Sequence, residues 1–317
     1  MIDIRLGLCC LNTELRAQKP SVFMSRTTIR KNYSVEKVKK LTLENIQDMY
    51  KMVDWNIKHN IHVFRLSSNI FPRFTDREVE SYDFEFARES LVNVGKYCRE
   101  NSRQRLLMHP GQYNQVGANT KKVYESTILD LSHQADILDA IGGGEVDKDG
   151  NPKDHGVLIV HGGGTYGDKE NTIRRWIEQY DDLPKKVKNR LVLENCEKSY
   201  NTRDCLNISS EIGIPVVYDC HHYDCYSILH PEETQEDVYH LLPEVFETWG
   251  DKRVVMHVSE QGSGKCGHHS DYISELPCYM MDIPEIFDIG VDIEVEAKMK
   301  EKAIKKLYDV HRNIFKF

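Results

Sequence analysis

The chain has 317 residues, a length that allows two domains of average size or one larger closed α/β barrel. Its 40% hydrophobic residues are enough for a large core, and 19 glycines and 10 prolines are too few for a disordered or fibrous protein. The net charge of −8 argues against a nucleic-acid-binding surface spread over the whole molecule.

The sequence predicts neither a secreted nor a membrane-spanning protein. Charged residues interrupt the N-terminal segment, and no run of about 18 uncharged apolar residues occurs. Nine cysteines without a C-x-x-C pair are typical of a reducing compartment. We therefore expect an intracellular protein, cytoplasmic or nuclear depending on the host, with no membrane partner.

Short apolar runs rich in β-branched residues alternate along the chain with segments of helical periodicity, which is the pattern of βαβ units around a parallel sheet. The predicted strands cover residues 4–8, 62–66, 105–108, 157–160, 191–193, 215–218, 253–256 and 290–295. The predicted helices cover residues 42–58, 84–100, 121–140, 172–179, 202–212, 234–248 and 300–315.

Eight parallel strands with interleaved helices favour a closed (β/α)8 barrel of the TIM type over a doubly wound open sheet. The turn-rich segment 142–155 has the length of an ordinary surface loop and is a poor domain boundary. We therefore expect a single domain over residues 1–317.

Six consecutive predicted strands end at a side chain that can bind a metal or transfer a proton. These residues are His109, His161, Glu194, Asp219, His257 and Glu296. A single polar residue after a strand is usually a helix cap, but the carboxyl ends of barrel strands meet at the face where barrel enzymes carry their active sites. Imidazole and carboxylate ligands without thiolates suit Zn²⁺, Mn²⁺ or Fe. Because these ligands exceed the needs of one ion, we expect two or three ions, with His222 and His269 as additional ligands.

A local excess of positive charge lies near the N-terminus of this acidic chain. Residues 1–60 contain eleven Lys or Arg against six Asp or Glu, and much of the surplus falls between Arg16 and Lys40. The segment 16–40 is predicted to be a basic loop that follows a nucleic-acid backbone. The alternative is a solvated connection with no partner.

Three local motifs are ambiguous. Residues 162–167 match the G-x-G-x-x-G pattern of dinucleotide sites, but the next helical segment starts too late for these glycines to open it. Residues 220–225 lack the paired spacing of a zinc finger, so Cys220 is expected in the core or behind the metal ligands. Gln112 and Tyr113, in the turn after His109, are either ordinary surface or a tip that wedges between unpaired bases.

Several phrases of the sequence together resemble the UV damage endonucleases, the UVDE family, which is related to barrel nucleases of the endonuclease IV type. The phrases are RLGLCCLN at residues 5–12, RLSSNIFP at 65–72, HPGQY at 109–113, HGG at 161–163, LEN at 193–195, Asp219 with His222, His257 with Ser259 and Glu260, HSD at 269–271 and EAK at 296–298. They extend over nearly the whole chain, and they are specific only in combination.

The resemblance implies incision of damaged double-stranded DNA immediately 5′ to a pyrimidine dimer, which leaves a 3′-hydroxyl and a 5′-phosphate. It implies two or three Mn²⁺ ions, with Zn²⁺, Co²⁺ or Mg²⁺ as substitutes, held by His109, His161, Glu194, Asp219, His222, His257, His269 and Glu296. Glu194, Glu296 and Lys298 are the expected catalytic residues. The DNA and lesion contacts are expected from Asn12, Arg65, Gln112 and Tyr113. A monomer is expected.

Two positions depart from the family pattern. Val255 stands where the family often has a lysine, two residues before the histidine of strand seven, and Leu8 stands where some relatives carry an aromatic residue. If that lysine adjusts the reactivity of a metal-bound oxygen, this chain either lacks the effect or obtains it from another residue.

The predicted chemistry is metal-assisted phosphodiester hydrolysis, since no Gly-x-Ser-x-Gly elbow is present to supply a nucleophile. Two alternatives remain open. A divalent-metal sugar isomerase would use the same kinds of ligand on the same barrel, although it would need neither an aromatic tip nor a basic loop. A lesion-binding protein without catalysis would be favoured if Val255 marked lost activity.

Overall fold

The computed structural model describes residues 4–101, 104–143 and 156–315. Eight parallel strands form a closed barrel in which each strand pairs with the next in sequence and the eighth pairs with the first. The strands are β1 (Ile4–Cys9), β2 (Val63–Leu66), β3 (Arg105–Met108), β4 (Leu158–His161), β5 (Leu191–Glu194), β6 (Val216–Asp219), β7 (Val254–Val258) and β8 (Val291–Val295). The predicted barrel is confirmed, and each strand lies within two residues of its predicted ends.

Helices connect and cover the strands. They are α1 (Thr13–Ala17), α2 (Val35–Lys58), α3 (Arg88–Asn101), α4 (Lys121–Gly142), α5 (Lys169–Asp181), α6 (Lys185–Lys188), α7 (Thr202–Ile212), α8 (Cys220–Leu229), α9 (Val238–Glu247), α10 (Cys278–Phe287) and α11 (Glu301–Val310). Within the described ranges, no helix combines the length and the apolar character that a bilayer crossing would need.

Two helices begin where a side chain caps their first turn, and not where the apolar pattern predicts a start. Helix α2 begins at Val35 instead of residue 42, because Oγ of Ser34 accepts a hydrogen bond from the Lys37 amide at 3.2 Å. Helix α8 is absent from the sequence prediction and begins directly after β6. Its cap is Asp219, whose Oδ1 accepts from the His222 amide at 2.7 Å. The cap therefore places two predicted metal ligands within one helical turn.

The ambiguous motifs resolve into ordinary structural elements. Residues 162–167 are a loop, and α5 begins at Lys169 after its cap, Asp168, three residues before the predicted start at residue 172. Gly162 permits close packing, since a Cβ atom there would lie 2.5 Å from the ring of Tyr200. Residues 220–225 belong to α8, and Cys220 is buried there with its Sγ 4.0 Å from the Ser259 carbonyl oxygen. Residues 144–155 of the predicted surface loop lie outside the described residues.

The predicted basic loop at 16–40 needs correction. Its last residues, from Val35 onward, belong to α2. Arg26 pairs with Asp48 at 2.6 Å and Arg30 pairs with Asp76 at 2.8 Å, so part of its charge is neutralised within the protein. Exposed lysines such as Lys19 and Lys31 still lie in the segment.

A buried ion cluster inside the barrel links β8 to its neighbour β1 and to β3. Asp292 of β8 is fully buried and accepts from Arg5 of β1 at 2.7 Å and from Arg105 of β3 at 3.0 Å. Burial alone would raise the pKa of the Asp292 carboxyl, but Arg5, Arg105 and Arg253 lower it to about 2. Since Asp292 reaches residues of other strands, side chains at alternate positions of β8 point into the barrel.

Candidate metal centre

The structure gathers the eight predicted ligands at the carboxyl-terminal mouth of the barrel. Parallel pairing places His161 beside Glu194 and Asp219 beside His257, so strand register alone brings two pairs together. The remaining four lie after strands or in the next element: His109 after β3, His222 in α8, His269 in the loop after β7 and Glu296 after β8.

Glu194 is fully buried at the centre of the cluster. Its Oε2 atom lies 2.8 Å from Nε2 of His109 and 3.7 Å from Nε2 of His161. Its Oε1 atom lies 2.8 Å from Nδ1 of His257 and 3.4 Å from Nδ1 of His222. Each carboxylate oxygen therefore faces two imidazoles, a geometry in which Glu194 could bridge two ions.

The predicted ligands form three overlapping groups, in each of which the ligand atoms lie within 4.8 Å of one another. The groups are His109, His161 and Glu194; Glu194, Asp219 and His222; and Asp219, His257 and Glu296. Glu194 and Asp219 each belong to two groups and so link adjoining positions. His269 lies at the edge, with its Nε2 atom 3.6 Å from Oε2 of Glu296. Each group could hold a divalent ion with nitrogen and oxygen ligands.

Unpaired buried atoms support the fit. Oδ2 of Asp219 and Nδ1 of His161 are buried and have no hydrogen-bond partner among the residues that the structure describes. Leaving a buried carboxylate oxygen unsatisfied is costly. A cation between the ligand groups would satisfy the oxygen of Asp219, whose other oxygen already caps α8.

The charges of the cluster act strongly on one another. Burial alone would raise the pKa of Glu194, but His161, His257 and His109 hold it well below its ordinary value. Burial alone would lower the pKa of His257, but the carboxylates, chiefly Glu194, raise it to about 10. Burial lowers the pKa of His161 to about 4. Glu194 is therefore ionised at neutral pH and is stabilised by positive charge beside it.

Glu294, which no sequence motif marks, lies behind the predicted ligands. Its Oε2 atom lies 2.8 Å from Nε2 of His257, on the edge of the ring away from Glu194. The same oxygen accepts from Nη2 of Arg65 at 2.6 Å and from Nε at 3.0 Å. Strand alternation could have revealed it, because Glu294 lies two residues before Glu296 and its side chain points into the barrel.

Two residues expected to contact DNA are buried and form ion pairs or hydrogen bonds within the protein. Arg65 is 8% exposed, and its guanidinium group pairs with Glu294 and Glu296. Asn12 is 0% exposed and caps α1, with its Oδ1 accepting from the Leu15 amide at 2.9 Å. In this structure Arg65 is therefore a buried counter-ion and Asn12 a helix cap, and their expected contacts with DNA stay a prediction.

The predicted probe residues lie on an exposed turn with a fixed base. Gln112 is exposed and Tyr113 is 81% exposed. Below them, Nδ2 of Asn114 donates to Oδ2 of Asp130 at 2.7 Å, and the Asn114 amide donates to the Gly111 carbonyl at 2.9 Å. The tip can therefore enter another molecule while its base remains anchored.

Lys298 and Val255 occupy opposite environments. Lys298 is exposed at the rim, and its amide donates to the carbonyl of Ser270, next to His269, at 3.0 Å. Val255 is fully buried on β7, two residues before His257, and its side chain offers no ligand atom. A different cation lies beside His257, since Nη2 of Arg65 is 3.0 Å from Nε2 of that ring.

Relatives of this chain carry repair-enzyme names. A family model described as UV-endonuclease UvdE matches residues 4–316. A UV-damage endonuclease of Schizosaccharomyces pombe is 38% identical over 320 residues, covering 96% of this chain and 50% of the relative, so the chain spans about half the length of that protein. A UV DNA damage endonuclease of Bacillus mycoides is 30% identical over 311 residues, covering 96% of this chain and 93% of the relative.

Solved structures agree with the barrel assignment. The crystal structure of SacUVDE matches with a TM-score of 0.82 at 29% identity, covering 99% of this chain and 100% of that chain. Endonuclease IV from Thermus thermophilus matches with a TM-score of 0.56 at 12% identity, covering 98% of each chain. A 3-keto-D-glucoside 4-epimerase from E. coli matches with a TM-score of 0.53 at 9% identity, covering 92% of this chain and 97% of that chain. These last two likenesses concern the fold alone.

Proposed function

The chain belongs to the UV-endonuclease UvdE family, and from this membership we propose that it is a DNA repair endonuclease that incises double-stranded DNA immediately 5′ to UV photoproducts. The proposed products are a 3′-hydroxyl and a 5′-phosphate. We propose further that residues 1–317 act as one barrel domain and as a monomer. The observation that carries the proposal is the set of three overlapping ligand groups linked by Glu194 and Asp219 at the barrel mouth.

The proposed cofactors are two or three Mn²⁺ ions, with Zn²⁺, Co²⁺ or Mg²⁺ as substitutes. The residues that would hold them are His109, His161, Glu194, Asp219, His222, His257, His269 and Glu296. Bound ions would supply Lewis acidity and positive charge to an anionic phosphodiester. Access is from one side, since His109, His161 and His269 are 15%, 27% and 29% exposed, whereas His257 is fully buried.

Glu194 and Glu296 are the proposed catalytic carboxylates. Burial would raise the pKa of Glu296, but Arg65 and His257 lower it well below its ordinary value. Both carboxylates therefore stay ionised at neutral pH and keep their charge at the mouth. Lys298, which is exposed two residues after Glu296, is the proposed contact to a phosphate oxygen of the DNA.

Gln112 and Tyr113 are the proposed lesion probe. A dimer weakens pairing and stacking, so extruding it costs less than the few kcal/mol per step needed for intact DNA. Because Tyr113 is 81% exposed on an anchored turn, its ring can fill the space that the displaced bases leave. Selectivity for damage would then come from the deformability of the duplex.

Nicking of irradiated plasmid tests the proposal. Closed circular DNA exposed to ultraviolet light should be nicked in the presence of Mn²⁺, and intact plasmid should not. A duplex with one defined thymine dimer should be cut immediately 5′ to the dimer, with ends that a ligase and a polymerase identify as 5′-phosphate and 3′-hydroxyl. Glu296→Gln should abolish nicking and leave the barrel folded.

The same samples separate the alternatives. Binding to irradiated DNA without nicking in Mn²⁺, Co²⁺ or Mg²⁺ would indicate a lesion-binding protein. Isomerisation of an aldose without nicking would indicate a sugar isomerase. Equal cleavage of irradiated and intact plasmid would contradict the proposed lesion specificity.

A further inference from the structure

We propose that Tyr166 is a second base-stacking platform, beside the tip formed by Gln112 and Tyr113, that receives an unpaired nucleobase of the bound DNA. The inference rests on the proposed function, because its ligand is DNA whose bases the lesion has already loosened. It goes beyond that function by assigning a binding site to a loop that holds no predicted DNA contact.

Tyr166 and Tyr113 are carried by neighbouring loops of the barrel mouth. The loops start at His109 and His161, whose ring centroids are 5.1 Å apart. They stay in contact farther out, where the Gly164 amide donates to Oε1 of Gln115 at 3.4 Å. Tyr166 is 44% exposed, so a base displaced by the tip meets a second aromatic surface on the adjoining loop.

The ring of Tyr166 is fixed although it is exposed. Its hydroxyl group donates to Oε1 of Gln115. The guanidinium group of Arg175 lies over the ring, 5.5 Å from its centroid. Arg175 is itself held, since it donates to the Gly117 carbonyl and to Oγ1 of Thr172, both at 3.0 Å. A ring that already stands in one orientation loses little entropy when a base stacks on it.

The backbone at Tyr166 favours a different residue. Tyr166 has a φ of 52°, in the left-handed region that non-glycine residues rarely adopt. Glycine would suit this conformation better, as it does at Gly163 and Gly167, whose φ angles are 90° and 79°. A side chain at this position therefore strains the backbone, and Tyr166 is nevertheless 44% exposed, a combination typical of a residue that contacts a ligand.

An open groove of about 480 Å³ lies beside the ring, within the size range of small-ligand sites. Its lining includes Arg174 and Arg175 together with Asp168 and Glu178, so these charges balance. Asn119 also lines it and offers both a donor and an acceptor. The groove therefore suits a base and its sugar, held by stacking and hydrogen bonds instead of by net charge.

Tyr166→Gly removes the ring while favouring the native backbone, so it is the sharpest test. We would measure binding in a Glu296→Gln background with Mn²⁺, using a synthetic duplex that holds one thymine dimer with 2-aminopurine opposite it. The variant should bind this duplex about tenfold more weakly. It should also reduce the 2-aminopurine fluorescence change and leave binding to intact duplex within about twofold.

Two controls make the result specific. Tyr50→Ala removes a tyrosine of similar exposure, 39%, from the outer helix α2 and should leave binding unchanged. The loss caused by Tyr166→Gly should be the same at low and high salt, because stacking releases no counterions. The melting temperature of Tyr166→Gly should not fall.

Unchanged affinity and fluorescence in Tyr166→Gly would overturn the inference. An equal loss on intact duplex, or a lower melting temperature, would also overturn it, by assigning Tyr166 a general or structural role. If the Glu296→Gln background itself does not prefer the dimer duplex, the proposed function fails instead, so the two failures are distinguishable.

Discussion

Replacing Glu294 with glutamine should weaken metal binding although Glu294 is not among the predicted ligands. The carboxylate lies 2.8 Å from Nε2 of His257 and 2.6 Å from Nη2 of Arg65. Because Glu294 holds the Nε2 proton, Nδ1 of His257, which faces Glu194 and the ligand groups, is the ring nitrogen that would give up its proton to bind an ion. A glutamine has the same shape but carries no charge, and its amide group would turn a donor toward the guanidinium.

The contacts of Glu294 with His257 and Arg65 determine how much metal affinity and folding stability the substitution should remove. A buried partner that fixes a ligating histidine contributes about 10–100-fold in metal affinity, or about 1.4–2.7 kcal/mol. Glu294 also neutralises Arg65, and removing one member of a buried ion pair costs about 3–5 kcal/mol of folding free energy. With Glu294 neutral, Arg65 would draw Glu296 more strongly and so compete with an ion for that carboxylate.

Calorimetric titration of the metal-free protein with Mn²⁺ measures the affinity directly. Asp292→Asn is the matched control, because Asp292 is a buried, arginine-paired carboxylate two residues earlier on the same strand. It contacts none of the predicted ligands in the described part of the chain. Both variants should lower the free energy of unfolding in urea, but only Glu294→Gln should weaken Mn²⁺ binding. Affinity within about twofold of wild type in Glu294→Gln, or an equal loss in Asp292→Asn, would refute the reasoning.

Three further outcomes are expected. Replacing Gln112 and Tyr113 together with alanine should reduce the preference for irradiated over intact DNA before it reduces nicking, as competition binding would show; an unchanged preference would exclude the tip as the probe. Lys31→Ala should weaken DNA binding at all sequences and lower the salt slope by about one, whereas Arg30→Ala, whose cation already pairs with Asp76, should change it less. Burial lowers the pKa of His133 to about 3. As pH falls, the imidazole of His133 is therefore protonated in the unfolded chain before it is protonated in the folded protein. The free energy of unfolding should fall between about pH 6.5 and about pH 3, by at most about 1.4 kcal/mol per pH unit. His133→Phe should flatten that slope in urea titrations, and an equal slope would assign the acid sensitivity to other groups.

The positions of the strands and of the eight proposed ligands followed from the amino-acid sequence. Apolar runs of strand length, each followed by a helical pattern, are local features that a parallel barrel requires. A polar side chain at the end of such a run needs no knowledge of distant residues to be noticed. Because closure brings all strand ends to one mouth, residues as far apart as His109 and Glu296 could be assigned to one site.

Only the tertiary structure shows which buried residues contact those ligands from inside the barrel. Arg65 and Glu294 are 229 residues apart, and nothing local marks either as the partner of the other. An arginine in a strand followed by polar residues is equally consistent with a DNA contact and with a buried counter-ion until closure of the barrel brings β8 beside β1 and so within reach of β2. The same holds for Arg30, whose charge is neutralised by Asp76, and for Tyr166, whose ring is fixed by Gln115 from another loop. Burial, pairing and exposure are properties of the closed barrel, because they depend on which side chains meet across it.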